Sequence, residues 1–85
     1  MHRITSVKSA GDVAVRLRFD NGKTYTVDLR ELVLRSRGLK RLREAALFAH
    51  VALGEGGHSI AWPGDLDLGA DTLWEVALIM ALLAI

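Results

Sequence analysis

Residues 13–28 read Val-Ala-Val-Arg-Leu-Arg-Phe-Asp-Asn-Gly-Lys-Thr-Tyr-Thr-Val-Asp. Val13, Val15, Leu17 and Phe19 alternate with Ala14, Arg16 and Arg18, the period-two pattern of a strand with one buried face and one wet face. Asp20-Asn21-Gly22 then supplies residues that tolerate positive φ in a tight turn. Thr24 to Val27 resumes a β-favouring run, so the segment reads as a hairpin. On its N-terminal side, residues 3–9 read as one more strand, which makes a meander.

On its C-terminal side, Asp28 is placed to cap a short helix, with Leu29, Leu32 and Val33 at helical spacing. Ser36-Arg37-Gly38 interrupts that helix. Leu39, Leu42, Ala46 and Leu47 then form a second apolar stripe, away from which Lys40, Arg41, Arg43 and Glu44 largely point, and Phe48 anchors its end in the core. Residues 51–53 and 59–62 flank Gly54-Glu55-Gly56-Gly57 and read as a second, looser hairpin. Pro63-Gly64 closes it. A last helix starts near Ala70, and from Val76 to Ile85 every residue is apolar.

These elements define one small α+β domain of 85 residues: an antiparallel meander and hairpins packed against two or three short helices, the last of them apolar. With 51% hydrophobic and 25% charged residues the chain is too apolar for disorder. It has no cysteine, which excludes a disulfide framework, a thiolate nucleophile and a cysteine-type zinc site. The N-terminus has no apolar core of signal-peptide length, and the expected location is the cytoplasm.

The net charge of +1 hides a division along the chain. All eleven Lys and Arg lie within residues 1–43, whereas residues 54–85 carry only acids and one histidine. Six cations (Arg30, Arg35, Arg37, Lys40, Arg41, Arg43) against Glu31 give residues 30–43 a local charge of +5. Such a segment suits an acidic partner or a nucleic-acid backbone, with Arg35, Arg37, Lys40, Arg41 and Arg43 as candidate contacts. It carries no helix-turn-helix, zinc-finger or ribonucleoprotein aromatic motif, and a solvated helix face accounts for the same charges.

The catalytic and metal-binding patterns fail on their spacing. Asp65, Asp67 and Asp71 around Gly69 superficially match a calcium loop, but Gly69 stands where a fifth-position acid belongs and Val76 where a closing glutamate is required. A helix-entry loop with acids near the helix N-terminus is the better reading. Gly22-Lys23-Thr24 imitates the end of a phosphate loop whose first glycine would be Leu17, inside a strand. His2, His50 and His58 lack metal-ligand spacing, and no Ser, His and acid combination marks a nucleophile. The expectation is no enzyme, no cofactor and no metal.

The apolar C-terminal helix stands out. Leu73 to Ile85 reaches about 20 Å against roughly 30 Å of hydrocarbon, so it is too short to span a membrane. A helix apolar all round must be covered all round, and so small a domain has little material to cover both sides. Trp74, Leu78, Ile79, Leu82 and Ile85 are therefore the candidate interface for a second copy or a small partner protein.

The order of segments is itself informative: Ile4-Thr5-Ser6-Val7-Lys8, the strand ending in Phe19 before Asn21-Gly22, Val27-Asp28-Leu29, Leu42 to Phe48, Ile60-Ala61-Trp62-Pro63, and Asp71-Thr72-Leu73-Trp74-Glu75. Over about residues 3–75 it resembles the bacterial family called domain of unknown function 2442. The resemblance implies an α+β fold with a strand meander and no established activity. Its members look like companions of another small domain in toxin–antitoxin-like gene pairs, which implies an interaction module of antitoxin-like type. Gly69-Ala70 departs from the family pattern, and the apolar ending is longer.

Overall fold

The computed structural model describes residues 2–83. Its first half is the expected meander: β1 (Ile4–Ser9), β2 (Ala14–Phe19) and β3 (Thr24–Asp28) form an antiparallel sheet in that order. The register sets Val7 opposite Leu17 and Leu17 opposite Tyr25, with Val15 opposite Val27. Val15, Leu17, Phe19 and Val27 are fully buried on one face. The β2–β3 turn closes as its residues dictate. Gly22 takes φ +85°, its N–H donates to the Phe19 carbonyl, and the Asn21 side-chain oxygen accepts the Lys23 N–H.

One strand boundary differs from expectation. Val13 lies before β2 at φ +44°, a left-handed conformation that is costly for a β-branched residue. There its carbonyl accepts the Leu29 N–H at 2.8 Å, tying the β1–β2 turn to the start of the next helix.

That helix, α1, is short (Arg30–Arg35). Asp28 Oδ1 accepts the Arg30 N–H at 2.9 Å, so the aspartate closes a turn one residue ahead of the capping position. The expected second helix is a 3-10 helix (Arg37–Arg43) followed by a single turn, α2 (Ala45–Phe48). Leu39 and Leu42 are three apart, the spacing at which side chains align in a 3-10 helix, and both are buried. Ala46 is exposed, so it belongs to no core stripe, and Phe48 reaches the core as anticipated.

The second half is another three-stranded antiparallel sheet: β4 (Ala52–Leu53), β5 (Ser59–Trp62) and β6 (Leu66–Gly69). Strand β6 corrects the helix-entry loop inferred for residues 65–71. Gly64 and Asp65 both take positive φ, which Gly and Asp tolerate best, and the reversal sets Leu66 opposite Trp62 and Leu68 opposite Ile60. Trp62 is buried, and its Nε1–H donates to the Phe48 carbonyl at 3.1 Å. At the junction of the two sheets, Gly57 has φ +75° and lies so close to β1 that a Cβ there would run into the Ile4 carbonyl.

Helix α3 (Ala70–Leu83) follows β6 directly and packs on β3 and β6. Leu73 and Ala77 enter the core. Trp74 stacks on His2 at 4.3 Å and meets Phe19 and Tyr25 edge-on at 5.0 and 6.0 Å, while Asp71 Oδ1 accepts the His2 N–H at 2.8 Å. The N-terminal strand and α3 are thus fastened together. Among the described residues no polar or charged residue is buried, and no helix is long and apolar enough to cross a membrane.

Candidate interaction surfaces

Helix α3 has two apolar faces. At 100° per residue, Ala70, Leu73, Ala77 and Met80 lie on one side, buried or packed against the core. On the other side Leu78 is 40% exposed, Ile79 57%, Leu82 70% and Leu83 81%. These four span an arc of about 140°, wider than the single apolar stripe an ordinary surface helix uses to join its core. Asp71, Thr72 and Glu75 share that arc nearer the N-terminus and are exposed, so the stripe is apolar only from Leu78 onward.

Of the five residues that the apolar pattern nominated, Leu78, Ile79 and Leu82 lie together on this stripe. Trp74 sits at its inward edge, half-buried in the aromatic cluster with His2, Phe19 and Tyr25, so its ring serves the fold. Ile85 lies outside the described residues. Leu83 was missed. It belongs to the same apolar run, and only the direction in which α3 packs shows that it points outward.

The nominated basic residues, Arg35, Arg37, Lys40, Arg41 and Arg43, are all exposed on the end of α1 and on the 3-10 helix. A second basic group lies elsewhere. Arg16 and Arg18 point away from Val15 and Leu17, on the solvent face of the first sheet, and Lys8 is directly opposite Arg16. The buried residues of the 30–43 segment, Val33, Leu39 and Leu42, join the core with Val15 and Leu17, on the face of the sheet opposite Arg16 and Arg18, and Arg43 comes to the edge of the sheet in a hollow that it shares with Ser9 and Asp12.

Among the described residues no group of three or more His, Asp or Glu side chains is gathered as metal ligands are. The hollow holding His2, His58 and Asp71 at the start of α3 is about 320 Å³. Another of about 370 Å³ lies beside strained Val13, between Asp12, Arg30, Leu34 and Arg43.

Two antiparallel three-stranded sheets in succession, closed by a C-terminal helix, define a small α+β domain with polar loops and one unpartnered apolar helix face. The chain belongs to the family described as Protein of unknown function (DUF2442), whose family model matches residues 4–77. Comparison with curated proteins returns no match. Among solved structures the chain resembles the crystal structure of Putative DNA Binding Protein NE0471 from Nitrosomonas europaea ATCC 19718, with TM-score 0.85 and 22% identity. The match covers 95% of this chain and 52% of that one, so this chain spans about half the length of its neighbour.

Proposed function

We propose that the protein is an interaction module that docks another polypeptide on the outward stripe of α3, and that its simplest occupant is a second copy of this chain. The observation that carries the reading is the contiguous exposure of Leu78, Ile79, Leu82 and Leu83 on a helix whose opposite face already completes the core. Apolar surface gains about 25 cal/mol per Å² when removed from water, and contiguous apolar patches on soluble domains mark interaction sites. A twofold axis lets one stripe cover its own copy.

The charges favour an antiparallel crossing. If two α3 helices cross near Met80, each Glu75 is five residues from the crossing on opposite sides, about 15 Å from its copy. That exceeds the Debye length of about 8–10 Å, whereas a parallel pair would bring the two carboxylates together. An antitoxin-like role in the cytoplasm is a further form of the same reading, in which the stripe of a second small protein takes the place of the second copy.

The test is the mass of the protein in solution beside that of Leu78→Glu/Leu82→Glu. The expected result is a dimer that the paired substitution dissociates while the circular dichroism of the fold persists. A wild-type monomer with the same mass as the variant overturns the self-pairing.

A second reading, nucleic-acid binding through Arg35, Arg37, Lys40, Arg41 and Arg43, is favoured by the exposure of all five residues and by the neighbour's name. It ranks second because half of that neighbour lies outside the match, leaving its named activity without a position in the shared fold. An affinity for DNA that does not weaken with salt would exclude it.

A further inference from the structure

The solvent face of the first sheet carries two adjacent rows of side chains. Ser6, Arg18 and Thr24 form one, and Lys8, Arg16 and Thr26 the next. All six are exposed. Strand and residue spacings put three cations and three hydroxyls within a patch about 10 Å across the strands and about 7 Å along them.

The arrangement works against the sheet that carries it. Lys8 and Arg16 are directly opposite, and like charges in that position are destabilising. None of the three cations is held in an ion pair among the described residues. The carboxylates at the borders are Asp28, which faces Ala14 and lies 3.8 Å from Arg30, Asp20, which begins the β2–β3 turn, and Asp12, exposed in the β1–β2 turn beyond Lys8 and Arg16. A polyanion laid on this face would convert the repulsion into attraction.

We infer that this face binds the sugar–phosphate backbone of double-stranded nucleic acid, with Lys8, Arg16 and Arg18 on phosphates and the hydroxyls of Ser6, Thr24 and Thr26 donating to phosphate oxygens. A backbone with one charge per 3.4 Å of axis on each strand presents about two or three phosphates to a patch of this size. The patch holds no large apolar side chain, and protein interfaces centre on such anchors. It holds no aromatic ring either, and single-strand binding relies on stacking platforms. Backbone contacts alone carry no sequence information, so binding is indifferent to sequence. This proposal is independent of the α3 reading and uses different residues from the 30–43 segment.

The experiment is a fluorescence anisotropy titration of a labelled mixed-sequence duplex with the full chain, at about 50 and about 200 mM salt. The wild-type protein binds, and its affinity falls steeply with salt. Lys8→Gln/Arg16→Gln/Arg18→Gln binds at least about tenfold more weakly at low salt, and its log–log salt slope is shallower by about 2.7. Over the fourfold salt range that slope difference corresponds to about a 40-fold smaller loss of affinity. Lys40→Gln/Arg41→Gln/Arg43→Gln, matched in charge, separates the two basic groups: with nucleic acid on the sheet it keeps the wild-type slope, and with nucleic acid on the 30–43 segment it is the variant whose slope falls. The sheet variant melts at or above the wild-type temperature, because its like-charge pair is gone. If the triple variant loses its fold, Arg16→Gln alone shows a slope shallower by about 0.9. Absence of duplex binding by the wild-type protein, an unchanged slope in the sheet variant, or equal loss in both triple variants overturns the proposal.

Discussion

Replacing three glycines by alanine one at a time tests how the two sheets are joined. At Gly38 φ is not positive and a Cβ would meet nothing within 4 Å, so the substitution only narrows the unfolded ensemble and stabilises by about 0.4–1 kcal/mol. At Gly22 the Cβ again enters open space, but φ is +85°, and a left-handed conformation costs an L residue about 1–2 kcal/mol. Gly57 carries the same conformational cost at φ +75°, and its Cβ also meets the main chain of Ile4. Ile4 is 2% exposed and paired with Phe19, so the strand has little room to retreat, and overpacking adds about 1–3 kcal/mol. The total, about 2–5 kcal/mol, is a large part of the stability of about 5–15 kcal/mol that native proteins have. In urea, with m near 1 kcal/mol/M, Gly22→Ala lowers the midpoint by about 1–2 M. Gly57→Ala lowers it by about 2–5 M, which at the upper end abolishes the transition. A Gly57→Ala midpoint no lower than that of Gly22→Ala would show that β1 does not rest on the 55–57 turn and would refute the junction.

Two further substitutions probe the packing. Leu73→Ala, at a position with no exposed surface, lowers stability by about 2–5 kcal/mol. Leu82→Ala, 70% exposed, costs the dilute protein about 0.5 kcal/mol, since about a third of three carbons at about 0.8 kcal/mol each is buried and alanine is the better helix former. Equal losses at the two positions in dilute urea titrations would show that the faces of α3 have been assigned wrongly. Trp62→Phe removes the indole donor from the Phe48 carbonyl, which keeps the Val51 N–H at 3.3 Å, and costs about 0.5–1.5 kcal/mol, read as a fall of at least about 2 °C in melting temperature. An unchanged melting temperature would exclude that hydrogen bond.

The meander was legible because Val15, Leu17 and Phe19 alternate with two arginines over five residues and Asn21-Gly22 marks the reversal. The second hairpin was legible from its glycines and from Ser59 to Trp62. Strand β6 was not. Its four residues alternate leucine with Asp67 and Gly69, but aspartates ahead of a helix look equally like a helix entry, and only pairing with β5 separates the two. The 3-10 helix escaped for a related reason, since Leu39 and Leu42 satisfy both helical spacings and the difference lies in Ala46, which the structure leaves exposed. At the candidate site the all-apolar run identified α3 as the surface of interest, but a run without a polar face cannot say which half turns inward. That choice is made by Phe19, Tyr25 and His2, which draw Trp74 toward the first sheet and leave Leu83 outside. The basic patch was half visible: the wet face of β2 shows Arg16 and Arg18, whereas Lys8 joins them only through the β1–β2 register.

The most direct test of the central reading is sedimentation equilibrium on the wild-type chain and on Leu78→Glu/Leu82→Glu over a wide range of concentration. Self-association through the α3 stripe predicts a wild-type mass rising with concentration toward twice the 9.3 kDa of the chain, as mass action requires, and a folded variant that stays at the monomer mass throughout. A wild-type protein that remains at 9.3 kDa at every concentration, or a variant that dimerises as readily as the wild type, would contradict it.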